Sequence, residues 1–315
     1  MKKLISFILF SVWYLVGFSQ SNIRLNNYWE NTYYINPASI YSEYQFVASV
    51  AARKQWMGFP GAPETEYLTF AARLFTNKTQ NNQVGQFGLK AYHDIIGYTE
   101  FINVSPSFSR SVRLSTKWLM NFGVAYKIQS ISYDKSKITL QSDDYFTPDS
   151  DPVIDAFNDR WIEHNADIGV EFVGNSRLIG ISIQNLMSVF NKDTRSLQTN
   201  SNFLYGMYRL EIDDYFNVLL GACAIKNNNV YQGEFNVSGI LKTRKLPVMQ
   251  LGVFYRTKKE TGILFGVDLN KAVRLAISYD YHIGDISHNS YGTPEVLLIW
   301  KFGRLRDCDC EELFK

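Results

Sequence analysis

The chain is poor in the residues that cross-link small folds or hold metals. Its 315 residues include only 3 cysteines and 4 histidines. So few cysteines exclude the disulfide-dense frameworks of small secreted domains. Cys308 and Cys310 form a Cys-x-Cys pair in the tail, and two thiols alone make an incomplete metal site. We expect them to be exposed or paired with another chain, and we predict no metal and no cofactor.

Signatures of common enzymes are also missing. The chain has no Gly-x-Ser-x-Gly, no His-Glu-x-x-His and no phosphate-binding loop. His93 and His282 end predicted strands, and no nucleophile stands out beside them. The formal net charge of +2 implies no strong attraction to nucleic acid. We therefore predict a protein that is not an enzyme, has no catalytic residues and has no nucleic acid partner.

Long apolar runs are scarce, and the one at the start of the chain is short. Leu4 to Phe18 follows the basic start Met1-Lys2-Lys3, a pattern typical of a signal peptide and too short for a confident spanning helix. Small residues, Gly17 and Ser19, stand at the −3 and −1 positions of a cleavage site before Gln20. We expect residues 1–19 to be a signal peptide; a retained anchor helix is the alternative.

What the rest of the chain does have is alternation. From Trp118 to Gln129, apolar residues at even positions alternate with polar or small residues at odd positions. Side chains of a strand alternate between its faces, so this is a strand of about ten residues, long enough to cross a bilayer when tilted. Only a closed barrel satisfies the backbone of such strands in lipid. An aromatic content of 15% with a mean hydropathy of −0.17 fits, because only alternate residues face lipid.

We predict an all-β fold, a single transmembrane antiparallel β-barrel of about 14 strands in the outer membrane. The barrel occupies residues 43–302, after a periplasmic or lumenal segment at 20–42 and before a periplasmic tail at 303–315. The predicted strands are 43–53, 65–75, 84–93, 98–111, 116–130, 163–173, 177–186, 202–211, 215–226, 230–241, 247–256, 260–269, 272–282 and 293–302.

Loop lengths support this topology. The four longest connections all follow odd-numbered strands, as expected if they are external loops that alternate with short periplasmic turns. A soluble sandwich would not need this alternation, although the pattern does not exclude one. The four connections are 54–64, 131–162, 187–201 and 283–292.

The polar face of the predicted strands carries charges of both signs. A wide aqueous pore would keep these charges solvated, whereas a narrower barrel would pair them into an ionic plug. Fourteen strands are compatible with both arrangements. The candidate lumen charges are Asp167, Glu171, Glu234, Arg274 and Asp280, on a face that also carries Arg53, Lys127, Asp268, Glu295 and Lys301.

The connection 54–64 combines bulky apolar residues with prolines and glycines. Exposed flexible loops do not usually contain Trp, Met and Phe together, so we expect an ordered loop that folds into or over the barrel mouth. Packing for stability and a partner or gating surface are both open. The candidate residues are Arg53, Gln55, Trp56, Phe59, Pro60, Gly61, Ala62, Pro63 and Thr65.

The longest predicted loop, 131–162, contains seven aspartates. Clustered carboxylates can hold calcium, but their spacing matches no calcium-loop motif. A solvated acidic loop is expected; calcium or a basic partner is the alternative.

Four stretches carry a family resemblance. They are Asn36-Pro37-Ala38, the Arg-x-Gln-Trp-x-Gly-x-Pro-Gly-Ala-Pro-x-Thr pattern from Arg53 to Thr65, the strand-turn-strand over 165–186, and Tyr279-Asp280-Tyr281 followed by 292–295. In these the chain resembles the PorP/SprF family, outer-membrane proteins associated with type IX secretion in Bacteroidota. The similarity covers Asn22 to Phe302. Pro294 stands where the family more often has His, so no role is transferred to it.

The resemblance implies a non-enzymatic barrel of the secretion and gliding machinery that helps to secrete or anchor a large surface adhesin. Its implied partners are outer-membrane lipid, a secreted adhesin recognised through its C-terminal domain, and other type IX secretion components. FadL-like transporters share the Asn-Pro-Ala and about fourteen strands, so the alternative is a FadL-like passive transporter of hydrophobic or small solutes. An anchor predicts a lumen filled by paired charges and by loop 54–64; a transporter predicts an apolar pocket or continuous pore.

Overall fold

Fourteen antiparallel strands close into one barrel, in which each strand pairs with its neighbours in sequence and β1 pairs with β14. The computed structural model describes residues 25–40, 44–74, 85–134, 160–190, 199–228, 230–242, 247–257, 259–284 and 290–304. The predicted barrel is therefore confirmed, and no strand end differs from its predicted position by more than three residues.

The strands follow one another around the wall without a crossover. In the part of the chain that the structure describes, three short 3-10 helices accompany them, η1 at Asn27–Trp29, η2 at Thr32–Tyr34 and η3 at Leu186–Val189. The strands are β1 Tyr44–Lys54, β2 Glu64–Leu74, β3 Gly85–Ile96, β4 Thr99–Arg113, β5 Trp118–Tyr133, β6 Arg160–Gly174, β7 Arg177–Gln184, β8 Ser201–Glu211, β9 Phe216–Asn227, β10 Val230–Leu241, β11 Met249–Arg256, β12 Glu260–Asp268, β13 Val273–His282 and β14 Thr293–Arg304.

The burial of apolar and polar side chains in the wall is the reverse of that in a soluble β-sandwich. On β5 the apolar residues Phe122, Val124 and Tyr126 are exposed, while the polar residues Asn121 and Lys127 are buried. A sandwich in water buries its apolar face, so an exposed apolar face and a buried polar face suit a wall surrounded by lipid. Among the described residues, no helix is long and apolar enough to cross a membrane.

A charge on the outer face of β5 should destabilise the barrel. Val124 lies near the middle of this strand and is 56% exposed. In lipid, Val124→Lys should lower the free energy of unfolding by about 2–4 kcal/mol, because lysine pays most for desolvation near the bilayer centre. Denaturant unfolding in lipid vesicles measures this, with Val124→Leu as the matched apolar control. Equal stability of the two variants would mean that this face does not contact lipid.

Candidate functional site

Residues 25–40 fill the lumen of the barrel. All but Glu30 are buried, and their partners lie on strands from opposite sides of the wall. The two 3-10 turns satisfy part of the backbone locally, since the Glu30 amide donates to the Asn27 carbonyl (3.0 Å) and the Ile35 amide to the Thr32 carbonyl (3.1 Å). The segment's other polar groups must find partners on the barrel wall.

At the end of the lumen next to the β13–β14 connection, the segment binds two buried carboxylates. The backbone amides of Asn26 and Asn27 donate to the carboxylate of Glu295 at 2.6 and 2.8 Å. The Asn26 side-chain amide donates to Asp280 at 2.8 Å. Arg53 lies 3.6 Å from Glu295 and 3.7 Å from Asp280, so the cation and the peptide amides neutralise the same pair of carboxylates.

A second guanidinium extends this cluster. Arg256 is fully buried, and its Nε donates to Glu234. Its Nη1 lies 3.2 Å from Glu260 and 3.7 Å from Asp280. The indole N–H of Trp29 donates to Glu234 at 2.5 Å. The segment thus contributes neutral donors to a cluster in which two guanidinium groups face four carboxylates.

The opposite wall holds a separate ion pair. The Lys90 ammonium lies 3.2 Å from the fully buried carboxylate of Asp167 and 3.4 Å from the Tyr34 carbonyl, to both of which it donates. Asp167 also accepts the Asn185 amide at 2.9 Å, and Lys127 donates to the Asn185 side chain at 2.7 Å. These bonds fix the top of β7 to the lumen wall.

Two further predicted lumen charges bind the segment or its contacts. Arg274 forms a bidentate pair with Glu30, at 2.8 and 3.0 Å, and also donates to Asp268 at 2.8 Å. Glu171 accepts the hydroxyl of Tyr205 at 3.2 Å, and the same hydroxyl accepts the Asn36 amide at 3.0 Å. All five candidate lumen charges are therefore paired or hydrogen-bonded, an arrangement that favours the ionic plug over the solvated pore.

Asn36-Pro37-Ala38 lies directly against the wall at a place where the wall itself has no side chains. Gly123 of β5 and Gly169 of β6 are paired across the two strands. A Cβ added to Gly123 would lie 2.3 Å from the Ala38 nitrogen, and one added to Gly169 would lie 1.9 Å from the Asn36 side-chain oxygen. The two glycines therefore form a flat area that only a backbone without side chains can provide.

Loop 54–64 lies on the rim rather than in the lumen. The Met57 amide donates to the Gly292 carbonyl (2.9 Å), and the Gly61 carbonyl accepts the Gly97 amide (3.0 Å), so the loop is held between its two neighbouring connections. Gln55, Trp56, Phe59, Ala62 and Pro63 are half-buried, Pro60 and Gly61 are exposed, and only the flanking Arg53 and Thr65 are buried. The loop is ordered and lies over the barrel mouth, which is one of the two placements predicted for it. It does not fill the lumen, as the anchor hypothesis expected.

Trp56 takes a left-handed backbone conformation at the start of this loop. Its φ is 49°, which is rare for a bulky residue, and its amide donates to the Thr293 hydroxyl at 3.2 Å. Strained positions of this kind persist only where their surroundings hold them. Thr65 at the other end donates to Asp94 at 2.6 Å. The loop is thus attached to the wall at both ends and leaves its middle on the surface.

Several predicted features lie outside the described residues. These are the signal peptide at 1–19, Cys308 and Cys310, and most of the acidic loop 131–162; of its aspartates, only Asp134 is described, and its amide donates to the Tyr98 carbonyl at 2.8 Å. Among the described residues, no group of His, Cys, Asp and Glu could hold a metal ion.

Sequence reasoning missed the residues that hold the plug. Arg256 and Glu260 were not identified as members of the charge cluster, and residues 25–40 were not identified as its donors. A signal was present: Asn26, Asn27, Asn31 and Asn36 alternate with aromatic residues in a segment too polar for a strand in lipid and too aromatic for an exposed linker.

The fold places the chain among closed antiparallel β-barrels of known structure. The toluene transporter TbuX of Ralstonia pickettii aligns with a TM-score of 0.53 and 7% identity, covering 86% of this chain and 92% of that chain. The monoaromatic hydrocarbon channel CymD aligns with a TM-score of 0.52 and 8% identity, covering 90% and 94%. A FadL homologue of Pseudomonas aeruginosa gives 0.47 and 8%, covering 85% and 93%. At these identities the likeness shows the fold alone.

Within this class, a family model described as type IX secretion system membrane protein PorP/SprF matches residues 17–300. The chain belongs to the PorP/SprF family, and the resemblance seen in its sequence is confirmed. This is a family of secretion-system membrane proteins. No curated protein is significantly similar to the chain.

A single methyl group at Gly123 should displace the plug. Gly123→Ala should lower the free energy of unfolding by about 1–3 kcal/mol, as expected for an overpacked contact, and should make residues 25–40 accessible to added protease. Limited proteolysis of the barrel in detergent, followed by mass spectrometry, measures this accessibility.

Gly206→Ala is the matched control, because a Cβ there would meet its nearest neighbour at an ordinary 3.6 Å. Equal protection of residues 25–40 in the two variants would show that the Asn36-Pro37-Ala38 contact does not hold the segment in place.

Proposed function

We propose that this chain is a non-enzymatic outer-membrane component of the type IX secretion and gliding machinery that helps to secrete or anchor a large surface adhesin. It recognises the C-terminal domain of that adhesin. Residues 1–19 are removed before Gln20, and the mature chain resides in the outer membrane. Its further partners are other components of the same secretion system. Membership of the PorP/SprF family supports the secretion role.

The filled lumen is the observation that favours anchoring over transport. A passive channel needs a continuous path or an apolar pocket, whereas here residues 25–40 occupy the interior and bind charged groups on opposite walls. The segment is held by several buried charge-assisted hydrogen bonds, which are the strong kind. Displacing it would leave buried carboxylates such as Glu295 without their donors, at a high cost in free energy.

The rim then becomes the surface available to a partner. Loop 54–64 presents half-buried Trp56 and Phe59 on an ordered backbone between two neighbouring connections. Aromatic side chains that are already ordered provide contact area at little entropic cost, and they are common at the centre of protein interfaces. We therefore assign loop 54–64 to partner contact, with Trp56 as its main anchor.

Affinity purification from detergent tests the proposal. The tagged barrel should retain an adhesin that carries a C-terminal secretion domain, and deletion of the gene should leave that adhesin unretained or unsecreted. Unchanged surface proteins and unchanged gliding after deletion, in a strain without a second gene of this family, would contradict the proposal.

Trp56→Ala should weaken adhesin retention at least tenfold, since truncating an interface tryptophan removes about 1.4 kcal/mol or more of binding free energy. Heat-modifiable migration on gels should stay normal, because the tryptophan packs on the rim and not in the wall. Tyr215→Ala is the control: Tyr215 is 52% exposed but lies in the β8–β9 turn at the opposite end of the barrel. Loss of heat-modifiability in Trp56→Ala would make Trp56 a folding residue instead.

A further inference from the structure

The pairing of β1 with β14, which we call the seam, differs from the other strand pairs of the barrel wall. Each of the others joins strands that follow one another in sequence and are linked by a connection at one end, whereas β1 and β14 are the first and last strands. The seam runs from Tyr44↔Arg304 to Arg53↔Glu295. Strands so far apart in sequence must meet the entropic cost of closing a long chain segment. The seam is therefore the pair that gains least from local structure.

One row of buried, inward-facing residues crosses the seam close to the end of β1. Arg53 of β1 pairs with Glu295 of β14, which in turn pairs with Ser278 of β13. The N-terminal segment lies on this row, because Asn27 donates from its backbone to Glu295 at 2.8 Å and from its side chain to Ser278 at 3.1 Å. The Asn26 amide also donates to Glu295, at 2.6 Å. The segment thus binds β13 and β14 together, through a carboxylate that faces Arg53 across the seam.

A second row crosses the seam further along β14. Ile299 of β14 pairs with Ser49 of β1 on one side and with Arg274 of β13 on the other. Glu30 forms its bidentate pair with Arg274, and the next residue, Asn31, donates to Ser49 at 2.8 Å. Consecutive residues of the segment therefore bind the two strands that flank β14, while Ile299 itself is 2% exposed.

The segment is also attached to β2, the strand that follows β1. Asn31 donates to Thr69 of β2 at 3.1 Å, and the ring of Tyr34 packs edge-on against that of Tyr67, with centroids 4.7 Å apart. Asn31 and Thr69 are 38 positions apart, whereas the segment reaches Ser278 of β13 over 251 positions. The segment can therefore dock on the first two strands through contacts near in sequence and present its donors to the last two.

We propose that residues 26–31 are an internal latch that holds the seam closed, by binding β1 and β2 on one side and β13 and β14 on the other. Without these residues Glu295 would lose two amide donors in a buried site, and a buried carboxylate short of donors is costly. A stably closed seam therefore requires the segment inside the lumen. The latch needs no secreted partner, so its test is independent of the proposed function.

Hydrogen–deuterium exchange of the purified barrel in detergent tests the latch in the Asn31→Ala variant, which removes the bonds to Ser49 and Thr69. Peptides covering 46–53 of β1 and 295–302 of β14 should exchange about tenfold or more faster than in wild type, because two buried hydrogen bonds are lost at the seam. Peptides covering 218–225 of β9, which pairs with its sequence neighbours on both sides, should exchange as in wild type.

Asn36→Ala is the matched control. Asn36 lies in the same segment, but its side chain donates to the Val170 carbonyl of β6 and the Tyr205 hydroxyl of β8, strands about halfway round the barrel from the seam. Exchange at the seam should stay as in wild type. Equal acceleration at the seam in both variants would mean that the segment stabilises the whole barrel and is not a latch. Unchanged exchange at the seam of a folded Asn31→Ala barrel would show that the seam closes without it.

An exchange of charge between the segment and β13 provides a second measurement. The Asn26 side chain donates to Asp280 at 2.8 Å, so Asn26→Asp brings two carboxylates together in a buried site. This barrel should lose heat-modifiable migration at a temperature about 5 °C or more below that of wild type, or fail to assemble. Asn26→Asp combined with Asp280→Asn restores one amide and one carboxylate at the contact, and should recover both assembly and slow exchange at the seam.

Two results of this second measurement would contradict the latch. One is an Asn26→Asp barrel as resistant to heat as wild type. The other is a double variant that assembles no better than Asn26→Asp alone, because the loss would then not arise from the contact between the segment and β13.

Discussion

The structure depends on the need to neutralise carboxylates that the strands bury inside the barrel. Glu234, Asp280 and Glu295 are at most 5% exposed, and the carboxylates of their cluster outnumber its guanidinium groups. An unpaired buried charge is so unfavourable that each carboxylate must have donors nearby. Residues 26–29 supply them as two backbone amides, one side-chain amide and one indole N–H. The same hydrogen bonds therefore neutralise the buried carboxylates of the wall and fix the path of the N-terminal segment.

This arrangement also explains why the lumen is so closely filled. Buried ion pairs alone are weak evidence for stability, because desolvation offsets most of their attraction, although losing one partner is strongly destabilising. Geometry adds what charge does not: Asn36-Pro37-Ala38 fits against the Gly123–Gly169 area, and the Asn36 amide reaches Tyr205 beside Glu171. A segment fixed at both ends of the lumen leaves the rim as the surface where specificity can reside.

The strands could be predicted from sequence because their signal is local. Alternation with period two needs only a few neighbouring residues to be recognised, and the lipid-facing and lumen-facing sets of β5 emerge directly from it. The plug could not be predicted, because its decisive contacts join residues far apart. Asn26 and Glu295 are separated by 269 positions, and neither stretch contains a sequence pattern that indicates the other as its partner. For a related reason the sequence left open whether loop 54–64 folds into the barrel or over its mouth: its apolar residues indicate order but not the surface on which they pack.

The end of β7 could not be predicted from sequence either. β7 ends where the chain turns inward and the Asn185 amide donates to Asp167. In sequence, Gln184 and Asn185 continue an acceptable strand pattern, and the predicted strand duly extended to 186. The position of the turn is set by Asp167, the lumen-facing residue that accepts the Asn185 amide.

Electrical recording from the purified full-length mature barrel in a planar lipid bilayer tests most directly whether this protein works by binding and not by conduction. With residues 25–40 held by the buried charge cluster, the wild-type barrel should give no steady ionic current under an applied voltage. A stable open channel with reproducible single-channel steps would contradict the filled lumen and favour a solute transporter.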